Sequence, residues 1–82
     1  NVRGAALSGI AAEGLENGSG IASRTIASLE HQWSEGRELL TARDVLVIDE
    51  AGMVGTRQME RVLSHAAEAG AKVVLVGDPR QL

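Results

Sequence analysis

The chain has 82 residues, a formal net charge of −3 and no cysteine. This bounds it to one small domain with a modest core. It also excludes a disulfide framework and a thiolate metal site, which fits a reducing cytoplasm. There is no basic footprint for nucleic acid, no apolar run of membrane-spanning length and no secretory leader pattern. Trp33 is the only aromatic residue, so the core has to be built from Ala, Val, Leu and Ile, each contributing modest area.

In chain order, Val2 to Leu7 reads as the tail of a strand. Ser8 is placed to cap a helix in which Ile10, Ala11, Gly14 and Leu15 form one apolar stripe. Asn17-Gly18-Ser19-Gly20 stops that helix, with Gly18 suited to its left-handed terminus. Ser23 to Trp33 reads as a second helix capped by Ser23, with Ile26, Leu29, Glu30 and Trp33 on one stripe. Trp33 serves either the core or a face on which a nucleobase stacks. His31 and His65 have no metal-ligand partner at useful spacing and are assigned to the surface. Ser34 to Arg43 is polar, with Leu39 and Leu40 closing a short helical turn on the sheet.

The stretch Asp44-Val45-Leu46-Val47-Ile48-Asp49-Glu50-Ala51-Gly52-Met53 follows. Its apolar run, rich in β-branched residues, suits a strand covered on both faces, as in a parallel sheet. It ends in two carboxylates, whose burial is costly without a cation or hydrogen bonds. Ligands gather at the carboxyl ends of strands in open α/β sheets. Gly55 or Thr56 begins a third helix with an apolar face of Met59, Val62, Leu63, Ala66 and Ala67, and Gly70 ends it. Arg57, Gln58, Glu60, Arg61 and Glu68 fall mostly on its solvated side, and Met53 is assigned to packing. A last strand, Lys72 to Val76, runs into Gly77-Asp78-Pro79-Arg80-Gln81-Leu82. The predicted fold is α/β, a parallel sheet of about three strands with helices on both faces. The Val73 to Val76 edge is left unpaired and open to self-association.

Val-Ile-Asp-Glu-Ala-Gly-Met resembles the Walker B segment (motif II) of superfamily 1 helicases, and Gly-Asp-Pro-Arg-Gln-Leu resembles their motif III. Ala6-Leu7-Ser8-Gly9-Ile10-Ala11-Ala12-Glu13-Gly14-Leu15-Glu16 is similar to their motif Ia, except that Ile10 stands where lysine is usual. The chain is most similar to the RecD-like helicase region of conjugative relaxases of the TraA/TraI type. The resemblance covers nearly all 82 residues. It implies that residues 1–82 are a piece of a RecA-like P-loop NTPase domain, motor domain 1A of a larger protein, acting with the rest of that helicase and relaxase chain.

The resemblance further implies ATP and Mg2+ as cofactors of the parent protein and single-stranded DNA as its partner. Asp49 would hold the magnesium, Glu50 would orient and deprotonate the attacking water, and Gln81 would contact the γ-phosphate. Asp78 would set the loop, with Arg80 a surface residue or an auxiliary contact. Ser8, Gly9, Arg24 and Thr25 would touch the DNA backbone. For Ser8 and Gly9 the alternative is that they only cap and turn the chain. Isoleucine at position 10 offers phosphate no cation, leaving the Ser8 hydroxyl and backbone amides as donors. No Gly-x-x-x-x-Gly-Lys-Ser/Thr loop occurs in the sequence, so these residues alone are expected to turn over no ATP. The alternative function is a degenerate helicase-like module that holds single-stranded DNA without hydrolysis.

Overall fold

A computed structural model describes residues 1–77. The elements are β1 (Val2–Ala6), α1 (Gly9–Ser19), β2 (Ser23–Thr25), α2 (Ile26–Ser34), β3 (Val45–Ile48), a 3-10 turn (Ala51–Met53), α3 (Thr56–Ala69) and β4 (Lys72–Leu75). The sheet is entirely parallel in the order β2-β1-β3-β4. It has four strands, not about three, because Ser23–Thr25 pairs with Gly4–Ala6 before the second helix begins. Ser23 is therefore a strand residue. The cap of α2 is Thr25, whose hydroxyl accepts from the Ser28 N–H at 3.1 Å. The short β2 was hidden because its residues also satisfy a helix-start pattern.

Central β3 carries the core. Leu46 and Ile48 are fully buried and join Ala5, Ile26, Leu29, Leu40, Ala51, Val62 and Ala66 in one cluster, which places α2 and α3 on the same face of the sheet. The opposite face of β1 lies against α1. A Cβ on Gly4 would overlap the Ser23 hydroxyl and lie 2.7 Å from Leu15 Cδ2, so glycine lets α1 and β2 close on β1. Ser8 caps α1 as its sequence implies, accepting from the Ala11 N–H at 3.1 Å. The helix runs past Gly18, however, and ends at the left-handed Gly20. Ala12 is its buried residue, while Ile10 is 84% exposed, so the expected stripe is displaced. For α3 the expected start at Gly55–Thr56 and the left-handed end at Gly70 are found. Of its proposed face, Val62 and Ala66 are buried, Met59 is half-buried, and Leu63 and Ala67 are exposed.

Segment 35–44 forms no helical turn; Leu40 enters the core and Leu39 does not. Trp33 packs half-buried against the core, stacks on His65 with ring centroids 4.0 Å apart, and donates from Nε1 to the Glu38 carbonyl at 3.1 Å. His65 is thus half-buried between elements and not a free surface residue, whereas His31 is exposed beside Glu35. Met53 is 74% exposed and does not pack. Glu30 on α2 binds Arg61 on α3 at two points, 2.6 and 3.2 Å, and the Arg61 guanidinium holds the Glu30 carboxyl below the usual carboxylate range. No helix among the described residues is long and apolar enough to cross a membrane. Among them, β2 and β4 are the two sheet edges, β4 pairing with β3 alone.

Asp44 is the one buried charged residue of the described core. Its Oδ2 accepts from the Thr41 N–H at 2.8 Å and the Thr41 hydroxyl at 3.2 Å, and Arg3 lies 3.9 Å away. The Thr41 N–H holds the carboxyl below its ordinary range, aided by Arg3 and opposed by burial. A depressed folded pKa contributes stability that is fully present above the unfolded aspartate value of about 3.9 and is lost as pH falls through the folded value. Asp44→Asn should therefore flatten the acid limb of a thermal-midpoint against pH profile; an unchanged limb would refute the assignment. Two glycines test the packing in opposite directions. Gly4→Ala should lower unfolding free energy by about 1–3 kcal/mol through overpacking. Gly14→Ala, mid-helix with open space around it, should raise it by about 0.5–1 kcal/mol. Urea titration reads both.

Candidate functional site

The sheet hydrogen bonding continues beyond β3 and into the site. Asp49 donates its N–H to the Ala5 carbonyl at 2.8 Å, Ala51 to Val76 at 3.0 Å, and Val76 to Ile48 at 2.9 Å. The two acids therefore sit where the pleat stops, which allows neighbouring side chains to leave the opposite-face alternation of a strand. Asp49 is half-buried and its Oδ1 accepts from the Glu50 N–H at 2.9 Å. Glu50 is exposed and adopts φ 56°, ψ 37°, a left-handed conformation unusual for a side chain with a Cβ. Its carboxylate has no hydrogen-bond partner among the described residues.

Gly77, at φ 73°, ends the visible course of the last strand against this turn. A Cβ there would lie 3.4 Å from both the N and Cα of Glu50 and 3.8 Å from Asp49 Oδ1. The β3 and β4 ends thus converge on one spot; a Cβ at Gly77 would be in ordinary contact there, and it is the left-handed φ that favours glycine. The sequence reading singled out the acids but gave Gly77 no role; its signal was the Gly-Asp step directly after an apolar strand. Asp78, Arg80 and Gln81 lie outside the described residues.

Donor chemistry at this turn is hard oxygen only. Among the described residues no cluster of three or more His, Cys, Asp or Glu could enclose a metal. Asp49 and Glu50 offer carboxylate oxygens, the donor type that a hard cation such as magnesium takes alongside water and phosphate oxygens.

A second constellation lies on the other side of β1. The chain leaves β1 through α1 towards β2, and leaves β3 through α3 towards β4, so neighbouring strands send their connections in opposite directions. Open α/β sheets leave room for ligands at that switch, outside the carboxyl ends. There the Ser8 turn adjoins Asp49–Glu50 through the β1–β3 pairing. Gly9, Arg24 and Thr25 line a cleft of about 310 Å³ together with Glu13, Glu16 and Ser28. Ser8 and Thr25 cap α1 and α2, so two helix N-termini open on the same edge and favour an anion. Two features oppose that. Glu13 and Glu16 add negative charge, and the Arg24 guanidinium is paired with Glu38, Nε to Oε2 at 2.8 Å.

Relatives share this chain's whole length. It is 58% identical to a Sinorhizobium fredii protein named "Probable conjugal transfer protein TraA", over 99% of the chain and 7% of the relative. It is 55% identical to a conjugal transfer protein TraA of Rhizobium radiobacter, over 100% of the chain and 8% of the relative. A conjugal transfer protein TraA of Agrobacterium fabrum is 52% identical over 99% of the chain and 7% of its own length. The chain thus spans less than a tenth of the relatives it matches.

The left-handed Glu50 is a strained position that a packing role does not need. Glu50→Gly should raise unfolding free energy by roughly 1 kcal/mol by removing the Cβ conflict. A loss of stability in urea titration would mean that the Glu50 side chain holds the turn together. The AAA domain family profile matches residues 1–82, and with the parallel α/β sheet in place, the chain belongs to the AAA domain family, as part of a P-loop NTPase domain.

Proposed function

We propose that residues 1–82 are the central part of motor domain 1A of a RecD-like superfamily 1 helicase within a conjugative relaxase. In this reading the parent couples Mg-ATP hydrolysis to movement along single-stranded DNA during plasmid transfer. The observation that carries it is the convergence of the Asp49–Glu50 turn and Gly77 at one strand edge, beside the Ser8 turn. Resemblance of the segments around Asp49, Gly77 and Ser8 to motifs II, III and Ia supports the same roles.

Bound Mg-ATP supplies the phosphoryl group and the charge that organises it. Asp49 would offer a carboxylate to the cation, its Oδ1 already accepting from the Glu50 N–H. Glu50 is exposed and its carboxylate takes no hydrogen bond among the described residues, which suits a group that orients a water and accepts its proton. Gln81 would donate and accept hydrogen bonds at the γ-phosphate, its amide unable to act as a base at neutral pH. Ser8, Gly9, Arg24 and Thr25 form the DNA-facing edge. Hydroxyls of Ser8 and Thr25 are engaged as helix caps, so at these positions the backbone amides of the first turns carry much of the attraction for phosphate.

The test is the full-length protein carrying Glu50→Gln. Steady-state ATPase should fall by about 10²–10⁴-fold, while single-stranded DNA binding without nucleotide stays within two-fold (roughly the scatter of an exposed-site change). Unchanged ATPase would remove Glu50 from the reaction.

A further inference from the structure

Arg24 stands at the boundary between two clefts. One is the cleft of about 310 Å³ with Gly9 and Thr25 at the helix N-termini. The other, about 360 Å³, has Arg3 and Glu38 in its wall. In the structure the guanidinium turns to the second, where it meets the Glu38 carboxylate at two points, Nε–Oε2 2.8 Å and Nη2–Oε1 3.3 Å.

Glu38 is held in place without using its carboxylate. Its backbone is left-handed at φ 52°, and its carbonyl accepts from Trp33 Nε1 at 3.1 Å and from Arg3 Nη1 at 2.5 Å. Side chains of Arg24 and Glu38 remain 48% and 38% exposed. An ion pair so open to solvent is weak and screened by salt, so another anion can displace it.

Resting on the reading of Ser8, Gly9, Arg24 and Thr25 as a DNA-facing edge, we propose that Glu38 is a built-in competitor of the DNA phosphate for Arg24. The carboxylate holds the guanidinium aside when no strand is present and yields it when a phosphate enters the neighbouring cleft. Glu38 thereby sets the affinity of this edge without touching DNA. It is a positioning residue. A guanidinium that can pass between two anions also gives a translocating strand a contact that releases as readily as it forms.

The experiment uses the full-length protein and a labelled oligothymidylate, with anisotropy read from low to moderate salt. Glu38→Gln removes the charge but keeps the side-chain length and the anchoring carbonyl. Binding should tighten by about two- to five-fold, the equivalent of one exposed ion pair. The slope of log affinity against log salt should steepen by up to roughly 0.7, as expected for one added phosphate contact to a single strand. Arg24→Ala should weaken binding, and the double variant should match Arg24→Ala alone. Weaker or unchanged binding in Glu38→Gln, with Arg24→Ala still weakening, would overturn the competitor and leave the DNA edge standing. No effect of Arg24→Ala would overturn both. A thermal midpoint of Glu38→Gln near that of the unsubstituted protein shows that the affinity change is not a folding defect.

Discussion

Everything in this chain depends on β3 being hydrogen-bonded on both sides. With β1 and β4 as parallel neighbours, Leu46 and Ile48 are sealed under α2 and α3 and are fully removed from solvent. On the face under α2 and α3 the strand can release polar side chains only at its ends, while Val45 and Val47 on the other face stay half-buried. At its start, Asp44 is buried and held by the Thr41 turn. At its finish, Asp49 and Glu50 reach the ligand edge of the sheet. The charged groups are therefore located by backbone pairing, and the helices only cover what the pairing has arranged.

The two constellations at the carboxyl edge are joined by the same pairing. Asp49 donates to Ala5, and Ala5 precedes Ser8 by three residues, so the carboxylate turn and the first helix cap ride on adjacent strands. Two ligand sites built on one rigid element can bias each other through it. A β1–β3 pair with contiguous hydrogen bonds is such an element, and under the proposed reading it links the hydrolytic turn to the DNA-facing edge. The strained Glu50 backbone fits this view, since the surrounding pairing over-determines a conformation that its sequence would not choose.

Electrostatics at the edge of Gly9, Arg24 and Thr25, the DNA-facing edge under the proposed reading, are balanced closely. Helix N-termini and Arg24 attract phosphate, while Glu13, Glu16 and Glu38 oppose it, and the net charge is −3. Ile10, 84% exposed on the first turn of α1, adds no charge to either side. Under the proposed reading, an edge of this kind would hold a strand weakly, as suits a contact made and broken repeatedly.

By itself the sequence determined the parallel α/β class, the apolar run of β3, the Ser8 cap, the span of α3 and the position of Asp49–Glu50 at a strand end; the expected cover on both faces of β3 is met at Leu46 and Ile48, whereas Val45 and Val47 are half-buried. Each follows from local signals: an uninterrupted apolar run, an N-cap residue, a terminal glycine. Tertiary structure decided what depends on residues distant in the chain. Ser23–Thr25 became a strand because Gly4 leaves room for it, overriding a helix-start pattern. Met53 and Ile10 stayed exposed because no described element covers them, although their side chains are apolar. The left-handed Glu50, the approach of Gly77 to it and the pairing of Arg24 with Glu38 were illegible for the same reason. Each is set by a partner brought close only when the sheet has formed, and neither periodicity nor propensity records which residues those partners are.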